Sequence, residues 1–167
     1  GTLNITSTED GIIGKDLCGI VAGDININAG SDGIKSTYDT DTTKGNVIIE
    51  GGNITIKASN DGIQAENILV INDGTINIKT NNGAADTTQT HTDNMYMGRG
   101  GFGFNNNKTT TTTDDTAESR KGIKAGNMLI INDGDITIDS DDDSVHCNSV
   151  IYIYGGTINA ATGDDGV

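Results

Sequence analysis

The sequence predicts an all-β fold, a right-handed parallel β-helix with three strands per turn. Three observations carry this: a glycine-led motif that recurs with a step of 22 residues, apolar residues that alternate with period two inside each copy, and a complete absence of proline. The motif is written as Gly1-Thr2-Leu3-Asn4-Ile5, Gly23-Asp24-Ile25-Asn26-Ile27, Gly52-Asn53-Ile54-Thr55-Ile56, Gly74-Thr75-Ile76-Asn77-Ile78, Gly134-Asp135-Ile136-Thr137-Ile138 and Gly156-Thr157-Ile158-Asn159-Ala160. It forms the first predicted strand of each turn.

A second signature begins nine residues after each glycine, except after Gly74, where the insertion at 83–120 intervenes: Asp10-Gly11-Ile12, Asp32-Gly33-Ile34, Asp61-Gly62-Ile63, Lys121-Gly122-Ile123, Asp143-Ser144-Val145 and Asp165-Gly166-Val167. A third apolar run closes the unit, as Val47-Ile48-Ile49, Leu69-Val70-Ile71, Leu129-Ile130-Ile131 and Ile151-Tyr152-Ile153, with Cys18-Gly19-Ile20 as its weaker first copy. Short β-branched segments separated by Gly, Asn, Asp and Ser read as strands and turns. A 22-residue unit cannot bury its own Ile face, so units stack and each strand pairs in parallel with its equivalent one turn on, giving five to six turns. Right-handed coiling is expected from the crossover rule. Proline would remove a ladder donor, so its absence fits. In the best copy Ile54, Ile56, Ile63, Ala65, Leu69 and Ile71 point inward, while Thr55, Lys57, Gln64, Val70 and Asn72 face out.

The 167 residues read as a single domain, residues 1–167, with insertions at 38–44 and 83–120. Gly, Asn and Thr dominate the longer one, around Met95 to Phe104 and Thr109 to Thr113, so a mobile loop is expected there rather than a second domain. The chain begins and ends inside the repeat, from which we expect a segment of a longer protein whose flanks cap the rod. Net charge is −14 and aromatics are 4%, a balance that argues against nucleic acid and against anionic membrane. No membrane insertion is expected, and the unit is expected to be monomeric within a larger chain. Cys18 and Cys147 fall at inward positions four turns apart, about 19 Å, beyond disulfide reach.

Stacking converts a repeated residue into a column with about 4.8 Å between members. Asp10, Asp32, Asp61, Asp143 and Asp165 form one such column, crowded by Glu9, Asp141, Asp142 and Asp164. Carboxylates at that spacing repel by about 1 kcal/mol per pair in water, and a hard cation with six to eight oxygen ligands removes the penalty. Calcium is therefore the expected cofactor, with Asp10, Asp32, Asp61, Asp141, Asp142, Asp143 and Asp165 as candidate ligands. The alternative is that each Asp caps amides of its own Asp-Gly turn. Lys121, preceded by Arg120, is expected to lie between Asp61 and Asp143 and to balance them. A sharper reading makes Lys121 or Lys124 the base of a calcium-assisted eliminase acting on uronates.

The next outward column reads Ile13, Lys35, Gln64, Lys124 and His146, a strip suited to the carboxylates of an acidic sugar chain. An apolar outward column of Ile48, Val70, Ile130 and Tyr152 offers either a surface covered by the long insertion or a sugar-stacking platform. The candidate carbohydrate-binding residues are thus Lys35, Lys124, Gln64, His146 and Tyr152. His91 and His146 have no triad spacing, and no catalytic residue is assigned. Ice binding by the outward Asn26, Thr55, Asn77, Thr137 and Asn159 face conflicts with the charges of Asp24, Lys57, Lys79, Asp135 and Asp139 beside it.

The Gly-polar-Ile-polar-Ile, Asp-Gly-Ile and Ile-Asn-Asp-Gly motifs, with Lys121-Gly122-Ile123-Lys124-Ala125 after a Gly/Phe-rich insertion, resemble clostridial secreted carbohydrate-binding β-helix proteins. That family is similar in shape to the calcium-dependent pectate lyases. The resemblance implies an extracellular or cell-surface location, calcium binding, and recognition without cleavage of plant cell-wall polysaccharides such as polygalacturonate or cellulose. Its acidic turns would fall on Asp32, Asp61 and Asp141 to Asp143. The competing functions are a pectate-lyase-like eliminase and a structural stalk or adhesin spacer.

Overall fold

The computed structural model describes residues 1–84 and 119–167. The described residues form sixteen strands in three parallel sheets, each strand paired with its equivalent in the neighbouring turn. The first sheet holds β1 (Thr2–Ser7), β4 (Asp24–Ala29), β7 (Asn53–Ala58), β10 (Thr75–Thr80), β13 (Asp135–Ser140) and β16 (Thr157–Thr162). The second holds β2 (Ile12–Gly14), β5 (Ile34–Ser36), β8 (Ile63–Ala65), β11 (Ile123–Ala125) and β14 (Val145–Cys147). The third holds β3 (Leu17–Ile20), β6 (Asn46–Ile49), β9 (Ile68–Ile71), β12 (Met128–Ile131) and β15 (Val150–Ile153). This is a parallel β-helix with three strands per turn, as the repeat predicts. The long insertion lies almost wholly outside the described residues, and with it the expected mobile loop, His91 and the cover over the Ile48 column.

The register follows the motif, as in Ile5 opposite Ile27 and Ile78 opposite Ile138 across the long insertion. Period-two alternation therefore sends one aliphatic set inward on every turn. Ile34, Ile54, Ile63, Leu69, Ile76, Ile123, Leu129 and Ile136 are fully buried and pile into one continuous core. At about 25 cal/mol per Å2 of apolar surface, burying such a side chain contributes about 1.5–3 kcal/mol. Cys18 is buried and Cys147 half-buried, and both are free thiols.

The motif glycine is required by its turn. Gly23, Gly52, Gly74 and Gly134 have φ between 116° and 126°, and a Cβ on any of them would lie 2.9 Å from the carbonyl oxygen of the glycine one turn away. The Asp-Gly-Ile glycine is confined differently. A Cβ at Gly33, Gly62 or Gly122 would lie 2.4 Å from Cγ2 of Ile56, Ile78 or Ile138 in turn. Ser144 occupies this position in the fifth turn, where the residue corresponding to those isoleucines is Ala160. The smaller neighbour makes room for the serine, whose Oγ sits 3.0 Å from Ser140 Oγ.

Candidate functional site

The acidic column forms at the corner between the first and second sheets, because the Asp-Gly-Ile turns stack through their main chains. Gly11 N donates to Asp32 O, Gly33 N to Asp61 O, Gly62 N to Lys121 O and Gly122 N to Asp143 O, each at 2.9 Å. Asp32, Asp61, Asp141 and Asp143 are buried, whereas Asp10 and Asp142 are half-buried and Asp165 is exposed.

Four of the five column carboxylates cap an amide, but of the next turn rather than their own. Asp10 Oδ1 accepts from Asp32 N at 3.0 Å, Asp32 Oδ1 from Asp61 N at 2.9 Å, Asp61 Oδ1 from Lys121 N at 2.8 Å and Asp143 Oδ1 from Asp165 N at 3.3 Å. The carboxylates thus continue the sheet ladders through a turn where no strand exists. A hydrogen bond to an ionised acceptor contributes about 1.5–3 kcal/mol.

The other oxygen of Asp32, Asp61 and Asp143 meets a cation supplied by the chain. Lys35 Nζ lies 2.5 Å from Asp32 Oδ2, and Lys124 Nζ 3.3 Å from Asp61 Oδ2. Arg120 donates to Asp141 Oδ2 at 2.8 Å, beside Asn81 Nδ2 at 2.9 Å. Lys121 does not span Asp61 and Asp143 with its ammonium. Its main-chain amide serves Asp61, while Nζ reaches Asp142 at 2.9 Å and Asp143 at 2.7 Å, where His146 Nδ1 also sits at 2.8 Å. The Lys121 side chain thus reaches toward the C-terminal end of the rod, where Asp142 and Asp143 lie.

Burial pushes the Asp32 carboxyl above its usual range, although the Lys35 hydrogen bond and charge pull it down. At Lys35 burial lowers the pKa, and the hydrogen bond and charge of Asp32 outweigh it, so the ammonium is held above its ordinary value. The two directions oppose each other within one pair. Geometry decides for the ionised pair at neutral pH, because both Asp32 oxygens accept hydrogen bonds. Lys121 is likewise raised: burial opposes its charge, and Asp143 and Asp142 more than compensate. A general base must first be neutral, so this environment counts against Lys121 in the eliminase role.

Among the described residues, one group of carboxylates could hold a metal ion: Asp142, Asp143 and Asp164, whose ligand atoms lie within 4.8 Å of one another. The all-oxygen donor set suits a hard cation such as calcium. Lys121 already bonds two of the three carboxylates, so an ion and this ammonium would compete. Asp164 belongs to this group although the expected ligands included Asp165. The signal for it is the Asp164-Asp165 doublet placed one repeat after Asp142-Asp143.

The structure brings Lys35, Gln64, Lys124 and His146 into one outward column of the second sheet. Lys35 and Lys124 turn to the acidic column, Gln64 Nε2 donates to Glu66 at 3.0 Å, and His146 Nε2 lies 3.0 Å from Asn148 Oδ1. Tyr152 lies apart from them, in the third-sheet column with Ile48, Val70 and Ile130. Its ring stacks on that of Tyr154, with centroids 6.0 Å apart and an interplanar angle of 15°, and both rings are exposed.

The sequence does not disclose the form of the short insertion. Lys44 Nζ lies 4.6 Å from the Tyr38 ring centroid and 3.0 Å from Asp16, and Lys15 Nζ is 5.4 Å from the same ring. Asp41 caps Thr43 N at 3.0 Å, and Gly45 N donates to Asp16 O at 2.8 Å, so the insertion is tied to the rod at both ends. No helix among the described residues is long and apolar enough to cross a membrane. A family model described as "Carbohydrate-binding domain-containing protein" matches residues 1–166. No curated protein and no solved structure matches the chain.

Proposed function

The chain belongs to the carbohydrate-binding domain-containing protein family, and from that membership we propose that it is a non-catalytic module binding acidic, pectin-like cell-wall polysaccharide with the help of calcium. The observation that carries the reading is the grouping of Asp142, Asp143 and Asp164 within 4.8 Å, beside His146 of the outward column, whose Nδ1 lies 2.8 Å from Asp143. Calcium held by these three carboxylates would supply positive charge to a surface that otherwise repels uronates. The protein's own residues do the rest. Lys121 partly neutralises the turn, the stacked amides fix each carboxylate, and Lys35 and Lys124 offer donors along the strip. Tyr152 and Tyr154 extend an apolar surface on which a sugar ring can lie. Such a function places the module outside the cell or on its surface, where wall polysaccharide is found.

Titration calorimetry with polygalacturonate tests this. Binding in millimolar calcium and a loss of at least tenfold in chelator are expected; equal affinity in both conditions rejects the bridging role. Absorbance of unsaturated uronate stays flat on this reading, and its growth with time would establish the eliminase instead.

A further inference from the structure

We infer that the outward face of the third sheet is a self-association surface, on which a second copy of this chain packs as a symmetric dimer. The monomeric unit expected from the sequence gives way, on this reading, to a weak dimer. β3, β6, β9, β12 and β15 contain no charged residue, whereas the first sheet carries Asp24, Lys57, Lys79, Asp135 and Asp139, and the second carries Lys35 and Lys124. On a chain of net −14 this is the face where two copies meet with least repulsion. Its two outward columns are almost wholly apolar, with Leu17, Asn46, Ile68, Met128 and Val150 in one and Gly19, Ile48, Val70, Ile130 and Tyr152 in the other. None of these ten is buried. A contiguous apolar patch of this kind marks an interaction surface.

The second column identifies the occupant, because it is tapered. It starts at Gly19, where an added Cβ would meet nothing within 4 Å, and it ends at Tyr152, which is 43% exposed. Val70 sits midway. A two-fold axis lying in the face along β9 reverses the order of the rungs and keeps each column opposite itself. Tyr152 of each copy then fills the open space over Gly19 of the other, Ile130 meets Ile48, and Val70 meets its own counterpart. An axis along the rod would instead set Tyr152 against Tyr152 and leave Gly19 facing Gly19, a clash at one end and a gap at the other.

The edge of the face obeys the same symmetry. Glu50 accepts from Asn72 Nδ2 at 2.7 Å, and Asn72 Oδ1 accepts from Asn132 Nδ2 at 2.6 Å. The axis along β9 places Glu50 opposite Asn132 of the second copy, so the two carboxylates do not meet. Five rungs and five residues per rung give a footprint of about 24 by 16 Å, or about 400 Å2, against about 800 Å2 per partner in a standard interface, which makes the dimer a weak one. The acidic turn lies at another corner of the rod and stays open in both copies. Tyr152 and Tyr154 are open to a sugar ring only in the free copy.

Sedimentation velocity of the whole protein over about 5 to 500 µM, the range in which so small an interface assembles, tests the inference. The sedimentation coefficient should rise with concentration from monomer toward dimer, equally in calcium and in chelator. Gly19→Arg and Tyr152→Glu, compared after melting curves confirm folding, should each weaken the dimer at least tenfold. The double variant should recover it, because the two-fold brings the introduced guanidinium of one copy to the introduced carboxylate of the other. A monomer at every concentration, single variants that dimerise like the parent, or a double variant as weak as the singles would overturn the inference. If the protein is monomeric throughout and Tyr152→Ala loses affinity for polygalacturonate, the face belongs to the sugar. If the acidic-polysaccharide reading fails, polygalacturonate does not bind in calcium while the sedimentation result stands.

Discussion

Replacing Lys121 with Met should destabilise the protein in chelator and leave it nearly as stable as the unmodified protein in calcium. The Lys121 side chain is 14% exposed and bonds Asp142, 22% exposed, and Asp143, 9% exposed. Removing one partner of a buried ion pair costs about 3–5 kcal/mol, because the remaining charge is left in a poorly solvating site. Asp142 is partly hydrated and His146 remains on Asp143, so the lower end, about 3 kcal/mol, applies. For a chain of this length that is a fall in Tm of about 6–12 °C. Met keeps most of the side-chain volume, so packing contributes little to the difference. Calcium at 100 times the variant's Kd stabilises the variant by about 2.7 kcal/mol, and the deficit closes because the parent, whose ammonium competes for Asp142 and Asp143, binds calcium more weakly and gains less. Thermal melts followed by circular dichroism, in chelator and in calcium, decide the matter. A variant that melts within 2 °C of the parent in chelator, about a third of the smallest expected fall, refutes the compensation argument. An equal deficit in both buffers refutes the exchange of ammonium for metal.

Three further outcomes are expected. Ala160→Ile, which restores the motif residue, should cost about 1–3 kcal/mol through overpacking against Ser144, and adding Ser144→Gly should recover it in a denaturant-unfolding double-mutant cycle. Ile63→Ala, in the fully buried core, should cost about 2–5 kcal/mol by the same assay, against under about 0.5 kcal/mol for outward Thr55→Ala. Lys35 has a raised pKa in the folded state, so its pairing contributes stability that is fully present below 10.5 and lost as pH rises through the folded value. Unfolding between pH 9 and 12 should show a shallower alkaline decline for Lys35→Met than for the parent.

The architecture was legible because a repeat declares its register: once Gly52 and Gly74 are aligned, Ile54 must face Ile76 and Thr55 must face Asn77. The acidic column was legible for the same reason. Its chemistry was not, because side-chain direction is set by what the next turn offers. The Oδ1 atoms are claimed by amides one turn away, and Lys121 bends toward Asp142 rather than back to Asp61. Arg120 reaches Asp141 across a full turn, a pairing that neither residue's local sequence announces. The Ser144 exception was visible as a departure from Asp-Gly-Ile, but its compensation by Ala160 needed the packing distance between the column and the neighbouring strand.

Anomalous diffraction from crystals soaked in terbium, a stand-in for calcium, addresses the cation site directly. A single strong peak among the carboxylates of Asp142, Asp143 and Asp164 is expected, with none at Asp32 or Asp61, where lysines hold the second oxygen. Peaks along Asp10, Asp32 and Asp61 with none at Asp164, or no peak at the three-carboxylate turn, would contradict the account.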